Sequence, residues 1–325
     1  MNELAQLVDE LCDRSTGDEL WRNLEDTGLA RLTSGQGAGP AEAAIVLSGL
    51  ARHAAAAPIA ETDLLAVWLA DKAGVSIPDT GPLTVAMADT AEIDGRLRGT
   101  VHDVPWPLST VVLAVRTADA LHVAVVEDAQ AVDGHNLAGE PRGSVAFDMA
   151  AGDMHAVDPG VADELIRRGA WARCNQIVGA LDAACDLTVG HTGERVQFGR
   201  PLSKFQAVQH SLAAMAGEIE RARAAAALAV AAAADYGFAH PATDYAVTAA
   251  KVAVGRAVNP VTTIAHQLHG AIGVTAEHRL WRTTMRARSW VDEFGTTTQY
   301  ARRLGRMALA AGDPWDVVVS YPAAR

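Results

Sequence analysis

The apolar positions along the chain change their spacing twice, dividing it into three stretches. In the first, Leu4, Leu7, Val8 and Leu11 recur three and four residues apart, which lays one apolar face along a helix. Leu20, Trp21 and Leu24 repeat the pattern and stop at Gly28. Thr33 to Pro40 is rich in glycine and polar residues and reads as a loop. Pro40 suits the first turn of a following helix, where its missing N–H costs nothing, and Ile45, Val46, Leu47 and Leu50 continue from it. The texture changes near Pro78. Residues 83–87, 111–115 and 121–126 are short, β-branched apolar runs, Ser144 to Phe147 is a fourth, and Asp94-Gly95 is a hairpin turn signal. From Val161 the helical spacing returns. It predicts helices from Asp163 towards Val189, from about Lys204 to Tyr236, from about Thr243 to Leu268 with Pro260 as a kink point, and after Thr296.

These stretches predict a mainly α fold. A helical domain would occupy residues 1–78, a small central antiparallel β domain 79–155, and a C-terminal helical bundle 156–325. Composition supports the helical reading. Half of the 325 residues are hydrophobic yet only 5% are aromatic, and alanine, the best helix former, fills the difference. The formal net charge of -12 disfavours nucleic acid and anionic membranes as partners. The three cysteines, Cys12, Cys174 and Cys185, have no metal-like spacing and read as unpaired thiols of a reducing compartment. Met1 to Arg14 is acidic, unlike a signal peptide, and the alanine-rich run between Arg223 and Asp235 is too short to span a bilayer. A soluble, cytoplasmic protein is the expectation.

Two segments carry more specific information. Arg195-Val196-Gln197-Phe198-Gly199-Arg200-Pro201-Leu202, followed by Phe205-Gln206, resembles the arginine–x–glutamine–phenylalanine–glycine–x–proline–leucine signature of acyl-CoA dehydrogenases. Gln267-Leu268-His269-Gly270-Ala271-Ile272-Gly273 resembles the glutamine–x–x–glycine–x–x–glycine segment of the same family, with Ala271 where a second glycine often stands. The resemblance implies FAD held between subunits. The planar fork of Arg195 would bind the pyrophosphate, with Gln197, Phe198 and Gln206 in the same crevice. Gln267 would offer its amide to a neighbouring subunit's cofactor, and Gly270 and Gly273 would let the backbone approach it. His266 and His269, three apart on a helix, have no carboxylate or cysteine beside them, so no metal is expected.

The family's reaction removes the α-proton of an acyl-CoA thioester with a carboxylate while the β-hydride passes to the flavin. In many members the base is a glutamate directly before glycine and threonine. Counting forward from Gly270, that pair falls on Gly295 and Thr296, with Thr296 facing the cofactor, and the base position falls on Phe294, which cannot take a proton. Three readings follow: Glu293, or less readily Asp292, reaches the substrate; Glu277 serves instead; or a partner subunit supplies the base. The bland alternative is that Asp292 and Glu293 only balance Arg286, Arg288, Arg302 and Arg303, and Arg279, Arg282, Arg286 and Arg288 could form a basic mouth for CoA. The family's threonine–glutamate–proline loop is not found in the β region. With the modest length, this resembles the short subunits of steroid and lipid catabolism in actinobacteria. The implied partners are an acyl-CoA substrate with a bulky acyl chain, an electron-transfer flavoprotein or similar acceptor, and a homo- or hetero-oligomer. The implied function is α,β-dehydrogenation, or completion of a partner's FAD site by a non-catalytic subunit.

Overall fold

The computed structural model describes residues 3–107, 110–127, 129 and 131–319, and they form two compact units. One unit comprises Arg14–Ala43 and Ala56–Gly169. It opens with α2 (Gly17–Asp26), which buries Leu20 and Leu24. Gly28 follows at φ +75, and α3 (Leu32–Gly35) adds one helical turn inside the predicted loop. Ala60–Val67 is π-helical and continues into α5 (Trp68–Ala73). The π-helical segment carries Asp63, 1% exposed, whose carboxylate accepts hydrogen bonds from the backbone N–H and hydroxyl of both Thr33 and Ser34 at 2.6–3.0 Å. Four donors offset the desolvation of this buried charge.

The β region of this unit holds two sheets. Strands β1 (Thr84–Asp89), β3 (Val111–Arg116), β4 (Leu121–Val126) and β7 (His155–Val157) form one, in the order β1-β3-β4-β7. Strands β2 (Arg96–Pro105), β6 (Pro141–Ala150) and β5 (Ala131–His135) form the other. Ala86, Leu113 and Val115 from the first sheet and Leu97, Val145 and Phe147 from the second share one apolar core. Asp94 and Gly95 both have positive φ, the two-residue turn predicted at that site. One pair departs from the antiparallel expectation: β1 and β3 run parallel, Thr84 opposite Val111. Between them the chain crosses into the second sheet as β2, so it re-enters the first in its original direction.

The other unit comprises the described residues of Met1–Asp13, Ala44–Ala55 and Ala170–Arg325. Besides α1 (Glu3–Arg14) it contains most of α4 (Pro40–Arg52) and of α6 (Gly160–Glu194), then α7 (Gln206–Tyr236), α8 (Pro241–His269), α9 (Leu280–Trp290), α10 (Thr297–Ala310) and the short α11 (Asp316–Val319). Pro40 and Pro241 each open their helices, and Pro260 lies inside α8, which continues through it. Small residues set the helix distances. Gly179 of α6 lies against the Ser48 carbonyl of α4, and Gly255 of α8 against Thr297 of α10. Trp171, fully buried, donates its indole N–H to the Ala229 carbonyl at 3.2 Å and meets Phe238 edge-on. No helix among the described residues is long and apolar enough to cross a membrane.

Candidate functional site

Three segments of the helical unit carry the sequence-predicted site residues. The first is an arm at the end of α6. After Glu194 the chain forms a minimal hairpin, β8 (Val196–Gln197) and β9 (Arg200–Pro201), with Gln197 opposite Arg200. Phe198 and Gly199 make the turn at φ +52 and +79, the left-handed pair that a tight hairpin requires. Residues 193–200 are all exposed, Phe198 at 92%. Arg200 lies 4.1 Å over the Phe205 ring, and Phe198 meets that ring edge-on. The hairpin thus holds an exposed ring, Arg195 and Gln197 in fixed relation. The hairpin tip bares a large apolar side chain to solvent. Gln206, the first residue of α7, is exposed beside the hairpin's exit.

The second segment ends α8. Gln267 is exposed, and Gly270 stops the helix at φ +66 with its N–H on the His266 carbonyl. A Cβ on Gly270 would meet nothing within 4 Å, so its backbone is open to approach. Gly273 has a different reason: a Cβ there would stand 2.8 Å from the Cβ of His269. Internal packing alone is reason enough for glycine at this position. His191, one turn before Arg195, stacks on His269 with centroids 4.4 Å apart. His278 closes on His269 at 4.7 Å. One chain therefore brings the base of the arm and the glycine segment together. His266 does not share a ligand site with His269: its Nε2 pairs with the Thr284 hydroxyl at 2.8 Å, while His269 Nδ1 bonds the Ala265 carbonyl.

The third segment is the loop between α9 and α10. Glu293 has a partner on α6. Its Oε2 accepts from Nε of Arg173 on α6 at 2.6 Å, and Arg173 is 2% exposed. Arg173 also donates to the Gln176 side chain at 2.6 Å and lies under the Trp290 and Phe294 rings, 5.8 and 5.7 Å from their centroids. Lys251, buried on α8, donates to the carbonyls of Val291 and Glu293 at 2.9 Å, neutralising the carbonyl end of α9. Burial holds its amine below the ordinary lysine range, against the upward pull of Cys174, Asp292 and Glu293. Tyr300 donates to the Phe294 carbonyl at 3.0 Å, and Thr296 caps α10 in a reciprocal box with Gln299. Phe294 adopts φ +55, sparsely populated for a side chain of this kind and held by these anchors. Sequence reasoning missed Arg173 and Lys251. A charged residue at an inward position of an otherwise apolar helix was the available signal, and its partner lies 120 residues away.

Glu277 sits exposed in the turn before α9, whereas Glu293 follows its C-terminus. Helix α9, roughly 16 Å long, lies between the two residues in the chain. The basic mouth is corrected in part: Arg286 is buried, at 6% exposure, because its position on α9 faces inward. Cys174 is fully buried, and burial pushes its thiol up to about 12, leaving it inert.

Residues 160–308 match the family model described as "Acyl-CoA dehydrogenase, C-terminal domain". The chain is 30% identical over 296 residues to the acyl-CoA dehydrogenase IpdE2 of Mycolicibacterium smegmatis, covering 88% of this chain and 86% of that relative. Two solved structures share the fold. The ChsE4–ChsE5 complex from Mycobacterium tuberculosis aligns with a TM-score of 0.79 at 23% identity, over 95% of this chain and 97% of that one. A Tcur3481–Tcur3483 steroid ACAD variant aligns at 0.82 and 24%, over 94% and 97%. The chain belongs to the acyl-CoA dehydrogenase family, FAD-dependent oxidoreductases acting on acyl-CoA. The arm and the glycine segment fit such a cofactor: an exposed guanidinium and amides for phosphate oxygens, an exposed ring, and backbone at Gly270 open to contact.

Proposed function

We propose that this chain is one subunit of an FAD-dependent acyl-CoA dehydrogenase assembled from two unlike subunits. It contributes flavin-contacting groups, and a partner supplies the carboxylate that takes the α-proton. The observation that carries this reading is at the base position: Phe294 stands there, and the neighbouring carboxylate of Glu293 is held by the buried guanidinium of Arg173. The two-chain names of the ChsE4–ChsE5 and Tcur3481–Tcur3483 neighbours support the heteromeric arrangement, and the steroid ACAD supports a bulky, steroid- or lipid-derived acyl group.

FAD, when bound, supplies the acceptor for the β-hydride, and an electron-transfer flavoprotein or similar carrier takes the electrons onward. The residues of this chain bind and orient. Arg195 offers two parallel N–H donors to phosphate oxygens, Gln197, Gln206 and Gln267 offer amides, and Phe198 covers the crevice from the hairpin tip. Gly270 presents bare backbone, and Thr296 caps the helix that follows the glycine–threonine pair.

A second reading keeps Glu293 as the base. One observation favours it: its side chain retains 19% exposure, one residue from the family's position. Paired variants of the assembled enzyme separate the two readings. Arg195→Met is expected to weaken FAD retention about ten- to hundredfold, the worth of hydrogen bonds to a charged group. Glu293→Gln is expected to keep both flavin and turnover. A complex of Glu293→Gln that retains FAD but loses turnover would transfer the base to this chain.

A further inference from the structure

Three histidines meet where the arm leaves α6. His191 lies on the last turn of that helix, and its ring stacks on His269, the last residue of α8, with centroids 4.4 Å apart and planes 18° apart. His278 packs edge-on against both, at 4.7 and 6.4 Å. His269 is 5% exposed. Its Nδ1 lies 2.8 Å from the Ala265 carbonyl, which can only accept, so Nδ1 carries the hydrogen. Its Nε2 is buried without a hydrogen-bond partner. The ring is therefore a neutral imidazole with a bare acceptor nitrogen, pressed against a second imidazole.

We propose that His191 and His269 are positioning residues, whose stacked neutral rings clasp the arm carrying Arg195, Gln197 and Phe198 to the glycine segment, and that acid opens the clasp. The value of the arm to the flavin rests on the function proposed above, whereas the clasp itself does not.

The chemistry fixes the direction. A proton on His269 Nε2 would create a buried imidazolium with no acceptor for its new N–H. Burial pushes His269 down to about 4, opposed by the Ala265 carbonyl and reinforced by His191, His278 and His266. Burial lowers His191 as well, with His278 and Arg195 adding to the effect and Glu194 opposing it. Arg288 of α9 acts in the same sense on His266, itself lowered first by burial. The C-terminal ends of α6 and α8 would favour a cation, but burial outweighs them. Because the folded-state values lie below the ordinary 6.5, the clasp's contribution is complete above that pH. It drains away as pH falls from 6.5 towards 4.

Hydrogen exchange on the purified full chain, free of flavin, tests this. The reporters are the amides of Arg195, bonded to the His191 carbonyl at 2.8 Å, and Leu202, bonded to the Arg195 carbonyl at 2.9 Å. Corrected for intrinsic rates, their protection is expected to fall about tenfold or more between about pH 7 and about pH 5, while α7 stays protected. The double variant His191→Phe/His269→Phe keeps an aromatic stack that cannot titrate, and should hold the same protection at both pH values. His191→Ala should lose protection at both. Unchanged wild-type protection, or an equal fall in the phenylalanine variant, would overturn the proposal. Neither outcome bears on whether the arm binds FAD.

Discussion

Arg173→Met is expected to lower the unfolding free energy by about 3–5 kcal/mol, towards the lower end of the range for breaking a buried ion pair. The lower end applies because the Glu293 side chain keeps 19% exposure and water can reach part of it. The loss has three parts. Glu293 is left without its guanidinium, the Gln176 side chain loses its donor, and the cation is removed from between the Trp290 and Phe294 rings. A double variant, Arg173→Met/Glu293→Met, should recover part of the loss, because it removes the carboxylate together with its buried counter-charge. Urea midpoints of the two variants and the wild type measure this. Equal destabilisation by single and double variants would mean that packing, not charge, makes Arg173 important. The same result bears on function, since a carboxylate that stabilises the fold through a buried arginine is committed to that arginine.

Gly179→Ala is expected to cost at least about 2 kcal/mol, although alanine is the better helix former by about 1 kcal/mol. The added Cβ would overlap the backbone carbonyl oxygen of Ser48, and no side-chain rotation relieves a clash with backbone. Overpacking costs about 1–3 kcal/mol where neighbours can give, and more where they cannot. The control lies on the same helix: a Cβ on Gly190 meets nothing within 4 Å, so Gly190→Ala should stabilise by about 1 kcal/mol. If thermal melts showed the two variants shifting in the same direction, the close approach of α4 and α6 would not be what Gly179 serves.

Much of the fold was legible because its periods are clean. The long helices end within a few residues of where spacing placed them, since Pro40, Pro241 and the glycines punctuate the chain in the usual way. What escaped has a physical cause in each case. Strand β2 shows two buried residues in ten, with a register break between Val101 and Val104, so alternation could not reveal it. Every residue from Ala60 to Ala66 is buried, leaving no exposed face to set a period. Helix α9 is rich in arginine and threonine and hides its apolar face among them. The candidate site was legible where it depends on contiguous residues. The arm is an eight-residue signature, and Asp94-Gly95 is a turn written in adjacent letters. The anchoring of Glu293 was not legible, because Arg173 and Lys251 come from helices 120 and 42 residues away and no local pattern links them. Nor could spacing reveal that Gly273 packs against His269.

The most direct measurement is the absorption spectrum of the purified chain, alone and after assembly with a partner subunit, titrated anaerobically with acyl-CoAs. The account predicts that the chain alone shows no flavin band that an acyl-CoA bleaches, and that assembly produces one which survives Glu293→Gln. A flavin band in the isolated chain that bleaches with an acyl-CoA, and no longer does so in Glu293→Gln, would contradict it and place the base in this subunit.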